Sequence, residues 1–369
     1  MRKLCSLIAS LTLLLSFSLL IILNLCEPMV AQEKTPAMSD SAHKYLEQVL
    51  DLMQKNALHR SSIDWTQVRQ ETFTRAQNAQ TTVDTYPAIA YAFSQLKEHH
   101  SFLQLPDNLP YKQKEALEEQ MAKISGKEST SNHSPYLPSK QMQGHIDRND
   151  NKAFAHLVVP MCIGEYADWE KNTPYFEKLV AQLHDLVVTL QEQKPNGWIV
   201  DLRGNSGGNM WPMLAGIAPL LGDGKLGSFD PAGDQWYAEN GKIVTISANE
   251  KTTQAEVKQP PFTLPELPLV AVLFDRDTAS SGEAIAISFA GRSHERSFGE
   301  HTAGYSTSNN MHGLSDGAAL FLCEGVSLDR TGKRYPDGLD PDVKVPDPES
   351  RVAEDKDPVL QAAEKWLGQ

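Results

Sequence analysis

The chain has 369 residues, of which 40% are hydrophobic, enough to bury a sizeable core. Its formal net charge of −13 argues against nucleic acid and anionic membrane surfaces as partners, because both reward basic patches. Four cysteines are too few for a disulfide framework.

Met1-Arg2-Lys3 is followed by an uncharged apolar run, residues 4–26. The run is longer than the core of an ordinary signal peptide and close to the length that crosses a bilayer. A cleavage site after Ala31 is poor because Met29 is not small, so residues 1–32 read as a signal anchor in preference to a cleaved signal peptide. Either reading puts the remainder outside the cytoplasm, with membrane contact through this segment only. Cys162 and Cys323 lie in strand-like runs and read as buried thiols, with one disulfide as the alternative in that compartment.

Residues 33–103 read as an N-terminal helical subdomain. Tyr45, Leu46, Val49, Leu50 and Met53 share one helical face, and Ile89, Phe93 and Leu96 share another. Pro87 marks the start of the second helix. Residues 104–150 are polar and Pro/Ser/Asn-rich, a loop-rich connector with one helix, KQKEALEEQMAKI. From 151 to 369 strands alternate with helices. Strand KAFAHLVVPMC precedes a helix opened by Thr173-Pro174, with a stripe of Phe176, Leu179, Val180, Leu183, Leu186, Val187 and Leu190. Strand GWIVDL, a glycine turn and helix MWPMLAGIAPLL follow, then strand LPLVAVLFD and helix TASSGEAIAISFAG. SFGEHTAG, AALFLCEGVSL and LDPDVKV complete a sheet. The pattern predicts an α/β fold with a mixed β-sheet core and flanking helices.

Three stretches carry chemistry. Gly204-Asn-Ser-Gly-Gly208 fits G-x-S-x-G, the turn that exposes a nucleophile in an α/β-hydrolase-type esterase, which would use Ser206. Against that reading, Asp201 and Arg203 put charges where such a strand stays apolar. Paired glycines let backbone approach a ligand, so Gly207 and Gly208 are candidate oxyanion donors, with a merely tight turn as the plainer alternative. In DTASSGEAIA, Ser280 and Ser281 head a helix, where amides stabilise negative charge, although capping by Thr278 or Ser280 would explain the same positions. His99-His100 ends a helix and would be surface decoration if nothing else converged. No HExxH or similar spacing accompanies it, so no metal or other cofactor is expected. GDGKLG at 222–227 matches a dinucleotide pattern but follows a helix and opens none.

Taken in order, SIDWTQV, TYPAIAYAFSQLKEHHSFL, GWIVDLRGNSGG, DTASSGEAIA, SFGEHTAGYS and YPDGLDPDVKV resemble the tail-specific, or C-terminal-processing, serine peptidases over roughly residues 40–350. The resemblance implies a ClpP/crotonase-like protease core and no cofactor. Its pattern T-A-S-x-x-E implies Ser280 as nucleophile, the Ser281 amide in the oxyanion hole and Glu283 as the acidic member and candidate orienting carboxylate. Members commonly carry Pro at the position of Ser206, so no hydroxyl is needed there. Many take their base from a lysine where this chain has Tyr305, a poor base at neutral pH. A second branch uses histidine in D-x-H-[ST]. Glu98-His-His100-Ser101 fits with Glu for Asp, implying His100 as general base. No PDZ domain is read between His100 and the core. Together these features resemble the PDZ-lacking branch of nisin-resistance proteins, membrane-tethered peptidases that clip a lantibiotic near its C-terminus.

The expected activity is therefore a membrane-tethered or secreted serine endopeptidase acting on extended peptide or protein substrates. Trp211 and Tyr305 are candidate substrate contacts, and Met213 and Phe102 could line the path, though core packing would account for the apolar ones. The rival readings are a catalytically inactive ligand- or peptide-binding protein on the same scaffold, and the esterase using Ser206.

Overall fold

The computed structural model describes residues 37–126, 141–149, 151–164, 169–231, 233–260, 262–264, 266–346 and 357–369. The expected signal segment, with Cys5 and Cys26, lies outside them. Among the described residues no helix is long and apolar enough to cross a membrane.

Helix α1 (Asp40–Asn56) starts at Ser39, whose hydroxyl accepts the Ala42 N–H at 3.2 Å, and it buries the stripe read from sequence, Tyr45 to Met53. Helix α2 (Trp65–Arg75) buries only Val68 and Thr72, and so carries too weak a stripe to be read separately. Helix α3 (Tyr86–Ser94) has Pro87 in its first turn and buries Ile89 and Phe93. These helices do not pack on themselves alone. Their core includes Leu103 of strand β1 (Phe102–Gln104) and Leu320 and Leu322 of β12 (Ala319–Asp329). Phe102 pairs in register with Phe321, so the chain enters a sheet two residues after His100.

The connector holds the expected helix, α4 (Tyr111–Ser125), but also β2 (Gln143–Asn149), which forms a sheet edge. That sheet has the order β14-β10-β9-β4-β3-β2. Strands β3 (Lys152–Val158), β4 (Gly197–Asp201), β9 (Val270–Phe274), β10 (Glu295–Gly299) and β14 (Val343–Lys344) run parallel, and β2 antiparallel. One face, with Trp198, Val200 and Val272, packs on α5 (Thr173–Glu192), α6 (Met210–Gly216) and α8 (Ser281–Phe289). The other, with Phe154, Ile199 and Leu273, packs on α9 (Pro358–Leu367), a helix the sequence reading did not identify. Residues 210–221, expected as one helix, break at Ile217 ahead of Pro219 into α6 and α7 (Ala218–Leu221).

A second, antiparallel sheet also escaped the reading of the sequence. It runs β1-β12-β5-β6-β7-β8, with β5 (Gly224–Asp230), β6 (Gln235–Glu239), β7 (Lys242–Ser247) and β8 (Glu250–Glu256). Strands β11 (Thr307–Gly313) and β13 (Arg334–Tyr335) also pair with β12. Cys162 and Cys323 are both buried free thiols and not the alternative disulfide, and burial pushes each thiol up to about 12.

Candidate functional site

Ligand sites in parallel sheets gather where the strands end at their carboxyl edge. Here β4 ends in the glycine turn and β9 ends in the loop that carries Ser280. Thr278 joins the two: its hydroxyl donates to the Leu202 carbonyl at 3.0 Å, and Asp275 Oδ1 accepts the Gly204 N–H at 3.0 Å. On the other flank, Cys162 donates its N–H to Gly207 O at 2.9 Å, and its own carbonyl accepts Asn209 N–H at 2.7 Å.

Ser280 is the N-cap of α8 with φ 52° and ψ −118°, a strained conformation for a non-glycine residue. The buried Glu283 carboxylate holds it there by accepting the Ser280 N–H at 2.8 Å, together with Thr302 Oγ1 at 2.6 Å and Gly304 N–H at 3.0 Å. Burial raises the Glu283 carboxyl and these donors work against the rise. Glu283 thus anchors the serine's backbone.

His100 arrives from between α3 and β1. Its Nε2 lies 2.9 Å from Ser280 Oγ, across 180 residues of sequence, and its Nδ1 lies 2.8 Å from Thr307 Oγ1 on β11. Glu98 Oε2 accepts the N–H of His100 at 2.6 Å and of Ser101 at 3.0 Å, and Asn309 Nδ2 donates to the His100 carbonyl at 2.8 Å. Tyr305 stands edge-on to the imidazole, ring centroids 5.5 Å apart. Burial, with Glu283 and Glu98 nearby, raises its phenol, so it stays protonated at neutral pH. Thr307 was missed: a single hydroxyl in TSNNMHG carries no spacing signal.

The glycines approach as expected. A Cβ on Gly207 (φ +108°) would stand 2.9 Å from Ala279 O and Ser280 Cβ, and 3.0 Å from Ser281 N. The Gly207 N–H, however, is already donated to Asn205 Oδ1 at 3.0 Å, which removes it from the candidate oxyanion donors. Gly208 and Ser281 remain. The Ser281 hydroxyl ties them together by donating to Gly208 O at 2.5 Å. This geometry brings a hydroxyl and an imidazole together beside the glycine turn, two of the parts that acyl transfer requires.

Other expected residues fall elsewhere. The hydroxyl of Ser206 points at Met161 Sδ, 3.5 Å away, a thioether where the esterase reading requires a base. Trp211 is half-buried against the main core and Met213 is fully buried, so packing accounts for both. Phe102 is 45% exposed and stacks on Phe321 with centroids 4.7 Å apart.

Comparisons with known proteins agree with this architecture. Residues 170–345 match the model of peptidase family S41. A nisin-resistance protein from Lactococcus lactis subsp. lactis is 27% identical over 320 residues, 85% of this chain and 86% of the relative. Among solved structures, a lipoprotein from Streptococcus agalactiae aligns with TM-score 0.60 and 22% identity over 89% of this chain and 97% of its own. The photosystem II D1 C-terminal processing protease aligns with TM-score 0.51 and 13% identity, over 84% and 94% respectively.

Proposed function

We propose that this chain is a serine peptidase with Ser280 as its nucleophile and His100 as its general base, a reading supported by the match of residues 170–345 to the model of peptidase family S41. The observation that carries this is the 2.9 Å approach of His100 Nε2 to Ser280 Oγ. With the Nδ1 proton donated to Thr307 Oγ1, the Nε2 lone pair faces the serine hydroxyl. The hydroxyl proton passes to Nε2 as Oγ bonds to the scissile carbonyl carbon. The oxyanion so formed takes the amides of Gly208 and Ser281. His100 then returns the proton to the leaving amine as the C–N bond breaks, and water repeats the cycle on the acyl-enzyme.

The substrate in this reading is an extended peptide paired along a sheet edge and cut near its C-terminus. Similarity to a nisin-resistance protein over 85% of the chain supports a peptide antibiotic as that substrate. The uncharged run at residues 4–26 supports an extracytoplasmic enzyme tethered by its N-terminus, or secreted if the run is removed. In this reading residues 33–103 bring the base and residues 151–369 the rest of the machinery.

A fluorophosphonate probe tests the assignment. Wild type should label at Ser280, and Ser280→Ala and His100→Ala should not. Absence of labelling in folded wild type would favour a binding protein, and labelling lost in Ser206→Ala would favour the esterase. Mass spectrometry of nisin-like peptides incubated with the protein then reads the substrate and the bond cut.

A further inference from the structure

Away from Ser280, the β2–β3 hairpin gathers a second set of titratable side chains. His145 and His156 face each other in register, and Asp147 lies two residues along on the same face. Asp147 Oδ1 is 3.0 Å from His145 Nε2, and Oδ2 is 3.0 Å from His156 Nδ1. The imidazole centroids are 4.8 Å apart. One ligand atom from each of the three residues lies within 4.8 Å of the others. Tetrahedral zinc, with bonds of about 2.0–2.2 Å, sets its ligand atoms roughly 3.3–3.5 Å apart, within reach of side-chain rotation alone.

The surroundings also suit a cation. The other nitrogen of His156, Nε2, faces the fully buried Asp201 carboxylate at 3.4 Å, the outer contact that fixes the tautomer of a metal-binding histidine. Asp201 is in turn gripped by Arg203 at 2.8 and 2.9 Å, and Arg203 reaches Asp357 at 2.8 Å. Among these described residues, three carboxylates stand against one guanidinium. His156 is buried, whereas the His145 and Asp147 side chains keep 35% and 17% of their exposure, which leaves a solvent route to the pair.

We propose that His145 Nε2, an Asp147 carboxylate oxygen and His156 Nδ1 bind a divalent transition-metal ion, zinc by ligand type, with water in the fourth position. The ion clamps edge strand β2 onto β3 and, through Asp201, onto the strand that leads into the glycine turn. It takes no part in acyl transfer, and the site stands independently of the peptidase assignment.

The test uses the full chain, stripped with a chelator, desalted and titrated with Co²⁺ and then Zn²⁺. Wild type and Ser280→Ala are expected to take up one equivalent of Co²⁺ with the visible bands of a tetrahedral site, to release it to Zn²⁺, and to unfold at higher temperature with Zn²⁺ present. His145→Ala, at a partly exposed edge position, and Asp147→Asn should each weaken binding about 10-fold or more. Wild type that takes up no stoichiometric metal overturns the proposal, as does uptake undiminished in folded His145→Ala, which would assign the ion to other imidazoles.

Discussion

Thr307 Oγ1 stands 2.8 Å from His100 Nδ1 although 207 residues separate them. A neutral hydroxyl therefore occupies the place behind the imidazole that a carboxylate fills in a Ser-His-Asp triad. It can fix the tautomer but offers no charge to stabilise an imidazolium. Thr307→Val should lower kcat/KM by roughly 3–10-fold, the worth of one orienting hydrogen bond, with Thr307→Ser near wild type. Steady-state cleavage of a model peptide measures this, and an unchanged Thr307→Val would remove Thr307 from the machinery.

Glu283 satisfies three donors in a buried position: Ser280 N–H, Thr302 Oγ1 and Gly304 N–H. Each buried donor left unpaired costs about 1–3 kcal/mol. Glu283→Ala should therefore lower the unfolding temperature and also lose activity well below that temperature, because the strained Ser280 backbone is released. Thermal unfolding followed beside peptide cleavage separates the two effects. A variant as active as wild type while folded would show that the serine needs no such anchor.

The two residues at the centre of the glycine turn should respond unequally. Gly207→Ala places a methyl 2.9 Å from Ala279 O and Ser280 Cβ at a φ of +108°, displacing the loop from its partner. We expect a loss of about a hundredfold in kcat, comparable to loss of an oxyanion donor. Ser206→Ala should stay within about twofold of wild type, since its hydroxyl meets only a weak thioether acceptor. Equal, severe losses in both variants would contradict the placement of the amides.

Glu295, at the start of β10, gives a pH signature. Burial and Asp342 push its carboxyl from 4.5 up to about 8, against partial relief from Arg292 and Arg330. A carboxyl raised by folding binds its proton more tightly in the folded state. Its contribution to stability is therefore fully present below pH 4.5 and is lost as pH rises through 8. Glu295→Gln, which mimics the neutral acid, should outlast wild type in thermal unfolding at about pH 9 and lose that advantage near pH 4. A gap that narrows as pH rises would refute the assigned direction.

The sequence by itself determined the elements whose signal is local. The stripe from Leu179 to Leu190 repeats at the helical period, and Val270–Phe274 is buried on both faces; both form as read. Ser280 and His100 were legible because their neighbours, Thr278 to Glu283 and Glu98 to Ser101, form short patterns resembling those of a peptidase family. Tertiary structure decided the remainder. Thr307 gains its position from the pairing of β11 with β12, Asn205 claims the Gly207 amide only once the turn has closed, and His145 meets His156 through a hairpin register. Strands β5 to β7 place Leu226, Trp236, Ala238 and Ile243 in the main core, but their apolar runs are short, and the mostly exposed β8 is held by its pairing with β7, so the sheet went unread. Periodicity encodes which face of an element is buried, but distances between side chains remote in sequence exist only after the sheets have fixed the backbone.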